Sequence, residues 1–144
     1  MPVDSPARSL LTDKLRAFLT ATPPRYATIA TINSDGSPHQ IVIWYLLRGD
    51  AIVVNSRRGR RWPANLRREG RANLAVHEGE DAVTLDCIVE RSFEGDGARD
   101  DICEMARRYY TAELAADESA RFRTEDRISF VLVPERIHVH GEPR

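Results

Sequence analysis

Residues 26–47 read YATIATINSDGSPHQIVIWYLL, and this stretch decides the fold class of the chain. Its first part, 26–32, is rich in threonine and isoleucine and predicts a β-strand. The next part, 33–38, gathers Asn, Ser, Asp, Gly and Pro, which are the residues that form turns. The apolar run 39–47 then predicts the antiparallel partner strand. Because this run is apolar at nearly every position, the second strand is expected to be covered on both faces.

Strand patterns recur through the rest of the chain. Further strands are predicted at 51–55, 71–77, 82–93, 128–133 and 137–140, with Pro134 as a bulge or edge signal, and helices at 12–20, 99–110 and 111–123. Short consecutive strands with few peripheral helices predict a mainly β fold, a closed or nearly closed antiparallel barrel, because closure removes exposed strand edges. A chain of 144 residues fits one domain, residues 1–144.

Arginine is concentrated in one window of the chain. Seven arginines fall within residues 55–71, directly behind the apolar run Ala51 to Val54, and Pro63 marks the start of a short helix there. Guanidinium groups bind phosphate or carboxylate oxygens in a bidentate manner, and a helix start adds free backbone N–H groups. The segment therefore predicts an anion site, with a solvated basic face as the alternative.

Composition excludes several classes of function. The 21 basic and 22 acidic residues give a formal charge of −1, which argues against a general nucleic-acid or membrane binder. Cys87 and Cys103 are too few for a disulfide framework and are expected to be buried thiols. No apolar stretch is long enough for a membrane helix, and residues 1–6 lack the apolar core of a signal peptide. A cytoplasmic location is expected.

The order of several short motifs resembles a known family. These motifs are the turn Asp35-Gly36-Ser37-Pro38-His39, the pair Trp44-Tyr45, the pair Gly49-Asp50, Ser56, and the arginine segment ending in Asn65-Leu66-Arg67-Arg68. The chain is similar to the split β-barrel flavin and deazaflavin oxidoreductases related to pyridoxamine 5′-phosphate oxidase, and most similar to the branch that uses the deazaflavin coenzyme F-420. The resemblance implies a split β-barrel and a homodimer whose two cofactor sites lie at the subunit interface.

The resemblance also implies a set of cofactor-binding residues. It places Ser56, Arg57, Arg60 and Arg61 on the cofactor phosphate and adds Asn65 to the site. The family commonly has a lysine where this chain has Trp62, which is expected either to wall the cofactor tail or to pack within its helix. The cofactor ring is expected along the second strand, beside Gln40, Val42 and Trp44, although strand alternation alone leaves open which face of that strand lines the site.

The implied chemistry is hydride transfer between reduced deazaflavin and a small electron-poor organic substrate. The cofactor carries the reaction, so no catalytic dyad is expected. Tyr45 is the candidate proton donor by residue type, with Tyr26, Tyr109 and Tyr110 equally available. His138 and His140 share one strand face but are too few for a structural zinc site, and no metal site is predicted. The alternatives are an FMN-dependent protein of the same family and a non-catalytic flavin or haem binding module.

Overall fold

A computed structural model describes residues 10–144 and is dominated by one antiparallel sheet. Its seven strands are β1 (Ala27–Ile32), β2 (Pro38–Ile43), β3 (Leu46–Arg48), β4 (Ala51–Arg57), β5 (Arg71–Glu78), β6 (Asp81–Glu94) and β7 (Arg127–His140). Neighbouring strands follow the order β2-β1-β5-β6-β7-β4-β3. The predicted mainly β fold is confirmed.

Four helices accompany the sheet: α1 (Asp13–Leu19), α2 (Arg61–Glu69), α3 (Asp96–Tyr109) and α4 (Ala112–Phe122). The Thr12 side chain caps α1 by accepting a hydrogen bond from the Leu15 N–H, as its position in the sequence predicts. Helix α2 ends at Gly70, whose φ of 70° is left-handed and therefore suits glycine. Within residues 10–144, no helix is long and apolar enough to cross a bilayer.

The second predicted strand is wrong in one respect, because the run 39–47 is not a single strand. It breaks at Trp44 and Tyr45, so that β2 pairs with β1 while β3 pairs with β4. These two strands lie at opposite ends of the strand order. Only two residues separate them in sequence, a reach of about 10 Å, so the sheet must curl until its two edges approach each other. The result is a split barrel.

The barrel interior holds the main core. Alternate residues of the strands point inward, including Ile29, Leu74, Leu85 and Phe130, all of which are almost fully buried. A second apolar cluster joins α3 and α4 to the outer side of β3 and β4, around Val53. Cys87 and Cys103 are free, buried thiols, as predicted.

The last strand is continuous across the predicted break. Residues 127–140 form one strand, and its register against β6 shifts where Cys87 pairs with Pro134 and Asp86 pairs with Arg136. One residue of β7 is therefore extra at this point, which is a β-bulge. The predicted bulge at Pro134 is confirmed, while the predicted separation into two strands is wrong.

Candidate functional site

A pocket of about 330 Å³ lies where the barrel splits, between β2 on one side and β4 on the other, with α3 and α4 beside it. Four arginines line this pocket, namely Arg57, Arg60, Arg121 and Arg127. We call it the cationic pocket. Six of the nine predicted cofactor-binding residues also line it: Val42, Trp44, Ser56, Arg57, Arg60 and Trp62. The structure thus brings together in one cavity the residues of the second strand and those of the arginine segment.

The arginine segment supplies Arg57 and Arg60 because β4 ends there and α2 begins. Arg57 is the last residue of β4, and Arg60 is the N-cap residue of α2. No side chain caps this helix start, so its first N–H groups keep the partial positive charge of the helix dipole. Among residues 10–144, Arg60 has no carboxylate partner, whereas Arg57 pairs with Glu125.

Two further arginines of the cationic pocket were not predicted from the sequence. Arg121 comes from the last turn of α4, and Arg127 is the first residue of β7. Both are far in sequence from the arginine segment and reach the pocket only through the pairing of β4 with β7, where Arg57 lies directly opposite Arg127. For Arg127, the signal available in the sequence was its position immediately before the apolar run that begins at Ile128.

Arg127 is a buried cation. Its side chain is 8% exposed, and its Nε donates to the Asn55 side-chain oxygen at 2.9 Å. Asn55 in turn donates to the Ala98 carbonyl and to the Ser129 hydroxyl, so the buried polar groups are satisfied. The pKa of Arg127 is lowered to about 10, mainly by burial and also by the charges of Arg60 and Arg57, against the opposing effect of Glu125. A buried, positively charged group of this kind favours an anionic ligand.

Glu125 provides the negative charge beside these arginines. Its Oε2 lies 3.3 Å from Arg57 Nε and 3.2 Å from Arg121 Nη1, and its Oε1 lies 3.2 Å from Arg127 Nη1. The carboxylate is 12% exposed. Arg121 also pairs with Glu118, so the four arginine charges face two glutamate charges, and the pocket keeps an excess of positive charge.

Trp62 carries a buried hydrogen-bond donor without a partner. The side chain lines the cationic pocket and is 2% exposed. Its indole Nε1 is the only buried side-chain nitrogen or oxygen in residues 10–144 that has no hydrogen-bond partner. An unsatisfied buried donor costs about 1–3 kcal/mol, so its retention beside a cavity needs a reason. An acceptor atom of a bound ligand would satisfy it.

The remaining wall of the cationic pocket is apolar and aromatic. It contains Ile41, Val42, Ile43, Trp44, Ile102, Met105, Tyr110 and Phe122. The Trp44 indole stacks on the Tyr109 ring with centroids 5.2 Å apart and planes 4° apart, and Tyr110 meets it edge-on at 4.8 Å. This packing fixes the Trp44 ring in place. A pocket with a cationic end and a flat apolar wall suits a planar ring that carries a phosphate.

Three predicted site residues lie elsewhere. Gln40 is exposed on β2 and does not line the pocket. The charge of Arg61 acts on Asp35 in the 33–37 turn, where the Ser37 hydrogen bonds are the main cause of a lowered Asp35 pKa. Asn65 is buried, and its amide donates to Thr31 Oγ1 and Asn33 Oδ1, both at 3.0 Å. Asn65 thus holds the first hairpin against α2.

The candidate proton donor Tyr45 also lies outside the pocket. Its side chain is fully buried in the core, and its hydroxyl donates to the Leu19 carbonyl at 2.6 Å. Burial raises its pKa, although hydrogen bonding to Arg108 acts in the opposite direction. The break between β2 and β3 turns Tyr45 inward, away from the cationic pocket. Tyr110 is the tyrosine that lines the cationic pocket.

A second cavity, of about 380 Å³, lies on the outer face of the sheet between β1, β5, β6 and β7. Arg71, the last arginine of the crowded segment, lines it together with Arg136. Asp86 and Glu135 line it as well, so its charges balance. We therefore assign the predicted anion site to the cationic pocket, where charge of one sign is in excess.

Comparison with known proteins agrees with this architecture. The chain matches the family model of pyridoxamine 5′-phosphate oxidase over residues 11–141. No curated protein matches the sequence at a significant level.

Solved structures resemble the chain over most of its length. An F-420 reductase is 18% identical, with a TM-score of 0.70 over 89% of this chain and 98% of that chain. A conserved hypothetical protein from Mycobacterium tuberculosis is 21% identical, with a TM-score of 0.71 over 97% and 91%. The heme storage protein from Vibrio cholerae is 18% identical, with a TM-score of 0.66 over 92% and 96%. At this level of identity the likeness establishes the fold alone.

Proposed function

The chain belongs to the pyridoxamine 5′-phosphate oxidase family, and from this premise we propose that it is an oxidoreductase that binds a phosphate-bearing flavin-type cofactor in the cationic pocket. The observation that carries the proposal is the convergence of four arginines and an unpartnered indole N–H on one cavity with a flat apolar wall. Guanidinium groups and a buried N–H donor are the partners that phosphate oxygens require.

The deazaflavin coenzyme F-420 is favoured over FMN as that cofactor. FMN carries one phosphate, whereas the deazaflavin tail carries a phosphodiester followed by several carboxylates. An open pocket in which four arginine charges face two glutamate charges, those of Glu118 and Glu125, suits the longer and more anionic tail. The structural likeness to an F-420 reductase is consistent with this choice.

The residues of the chain would bind and orient such a cofactor. Arg57, Arg60 and Arg121 would bind the phosphate near the open side of the pocket, with Arg127 behind them. Val42 and Trp44 would form a wall for the ring, and the Tyr110 hydroxyl would hold a proton beside it. When bound, the reduced deazaflavin supplies the hydride for a small electron-poor organic substrate. The work of the protein is then binding, orientation and exclusion of competing oxidants.

We further propose that the functional form is a homodimer. Ile32 and Val42 lie on the outer face of the sheet and are 40% and 63% exposed, although both belong to strands whose other face packs on the core. An apolar outer face on a small sheet is typical of an interface. Val42 also lines the cationic pocket, so a second copy placed on this face would border the site.

Titration with cofactors tests the proposal. Purified protein is titrated with coenzyme F-420, with FMN and with haem, and binding is followed by absorption and fluorescence. We expect the deazaflavin to bind most tightly. Tenfold tighter binding of FMN, a difference of about 1.4 kcal/mol, would assign the protein to flavin instead. A Soret shift with haem, together with no response to either flavin-type cofactor, would favour a haem-binding module such as the heme storage protein that shares the fold.

A further inference from the structure

We propose that Glu125 is an internal competitor for the ligand phosphate and thereby sets which anions the cationic pocket accepts. This inference rests on the proposed function, because it takes the pocket to be a phosphate site. Three guanidinium groups from β4, α4 and β7 meet on this one carboxylate, at 3.2 to 3.3 Å. A ligand phosphate that binds Arg57, Arg121 and Arg127 must replace the ion pairs that Glu125 already makes with them.

The fold does not need this carboxylate to hold the arginines. Arg127 is also held by the Asn55 side chain, at 2.9 Å. Arg121 is also held by Glu118, to which its Nε donates at 3.0 Å. Both contacts would persist without a charge at position 125.

The backbone around Glu125 is anchored separately. Arg99 Nε donates to the Glu125 carbonyl at 3.0 Å, and the Arg58 N–H donates to the Asp126 carbonyl at 2.9 Å. The turn between α4 and β7 is therefore fixed by main-chain acceptors. The negative charge of the side chain is available for a role in ligand selection.

With a carboxylate in this position, the affinity for an anion depends on the difference between two sets of ion pairs. One set joins the arginines to the ligand, and the other joins them to Glu125. A weakly charged anion gains little, because it replaces one carboxylate by another group of similar charge. A phosphate or pyrophosphate with more oxygens and more charge gains more. Glu125 is thus expected to weaken the binding of every anion while discriminating against those of low charge.

The test compares Glu125→Gln with the wild type, and Glu118→Gln serves as the matched control. Both changes remove one carboxylate that contacts Arg121, but Glu125 also pairs with Arg57 and Arg127, whereas Glu118 pairs with Arg121. Binding of coenzyme F-420, FMN and inorganic pyrophosphate is measured by calorimetry at fixed ionic strength. We expect Glu125→Gln to bind pyrophosphate and the preferred cofactor at least tenfold more tightly, and Glu118→Gln to bind them within twofold of the wild type.

The outcomes separate the two proposals. Wild-type cofactor binding that is not tightened by Glu125→Gln would overturn the role of Glu125 and leave the proposed function intact. If neither protein binds cofactor but Glu125→Gln binds pyrophosphate more tightly, the proposed function is overturned and the role of Glu125 is supported. Absent binding of pyrophosphate by both proteins would overturn the role of Glu125. If Glu125→Gln does not fold, Glu125→Asp carries the test: its shorter side chain cannot reach three guanidinium groups at once, so tighter binding is again expected and unchanged binding contradicts the inference.

Discussion

Arg60 and Arg61 are consecutive in sequence but serve different parts of the molecule: Arg60 lines the cationic pocket, whereas the charge of Arg61 acts on Asp35 in the first hairpin turn. The start of α2 separates them, since Arg60 is the N-cap residue and Arg61 is the first helical residue. Their side chains are both exposed, so neither is expected to contribute much to folding. The pair is therefore a natural internal control for the anion site.

Replacing Arg60 by alanine should weaken cofactor binding, and the same change at Arg61 should not. We expect about a tenfold loss at Arg60, because a charge-assisted hydrogen bond contributes about 1.5–3 kcal/mol and partial solvent exposure reduces it. Fluorescence titration of both variants measures the effect, and their melting temperatures should stay close to the wild-type value. Equal losses of cofactor affinity in the two variants would indicate that the arginine segment is only a solvated basic face.

Trp62→Phe removes the unpartnered indole N–H while keeping an aromatic ring. We expect cofactor affinity to fall about tenfold, since a ligand acceptor loses its donor. The free energy of unfolding should change little, because relief of an unsatisfied donor offsets part of the lost packing. Phe130→Leu is the control: Phe130 packs near Trp62 outside the pocket, and this change should lower stability without changing affinity. Unchanged affinity in Trp62→Phe would mean that the indole N–H does not meet the ligand.

Phenylalanine at Tyr45 and at Tyr110 should give opposite patterns. Tyr45→Phe breaks the buried hydrogen bond to the Leu19 carbonyl and should cost about 1–2 kcal/mol of stability with turnover unchanged. Tyr110→Phe should leave stability nearly unchanged and slow turnover, because Tyr110 lines the cationic pocket. Urea unfolding and steady-state kinetics with reduced cofactor distinguish the two. Loss of turnover in Tyr45→Phe alone would restore Tyr45 as the proton donor.

Stability should decline as the pH rises above 9. Burial raises the pKa of Cys87 from 9.0 to about 12, aided by the charges of Asp86 and Glu135. The unfolded chain therefore releases a proton that the folded protein keeps, and the free energy of unfolding falls with rising pH. Tyr109, whose pKa is raised by burial to about 12, adds to the decline above pH 10, where the lowered pKa of Arg127 opposes it.

The interval from pH 9 to 10 isolates the thiol. Cys87→Ala should make the decline there shallower by about 1 kcal/mol, since one group contributes at most about 1.4 kcal/mol per pH unit. Urea unfolding at pH 7, 9 and 10 measures the slopes. The same slope in both proteins would show that Cys87 does not control alkaline stability.

A charge on the outer sheet face should dissociate the proposed dimer. Ile32 and Leu114 are exposed to similar extents, 40% and 42%, but Ile32 lies on β1 and Leu114 on α4. Ile32→Asp is expected to shift the protein to monomer in sedimentation at micromolar concentration, whereas Leu114→Asp should not, because only the sheet face is expected to be buried by a second copy. A monomeric wild type that binds cofactor with full affinity would refute the shared site.

Local sequence patterns predicted most of the secondary structure, including the Thr12 cap and the bulge at Pro134. They did not locate the break at Trp44. An apolar run has the same sequence pattern whether it continues as one strand or passes from one edge strand of the sheet to the other. They also missed Arg121 and Arg127, which meet the arginine segment only through strand pairing of long sequence separation. The sequence also could not show that Asn65 lies outside the cationic pocket, because a buried structural amide and a ligand-binding amide are the same residue type.

The strands β6 and β7 are direct neighbours in the sheet, and a hairpin turn would suffice to join them. The chain instead inserts α3 and α4 at this point, and these helices bring Met105, Tyr110, Arg121 and Phe122 to the cationic pocket. The helical insert therefore supplies one side of the pocket, while β2, β4 and the start of α2 supply the other. Exchange of the insert alone would change the lining on one side of the cavity and leave the strand pairing of the barrel as it is.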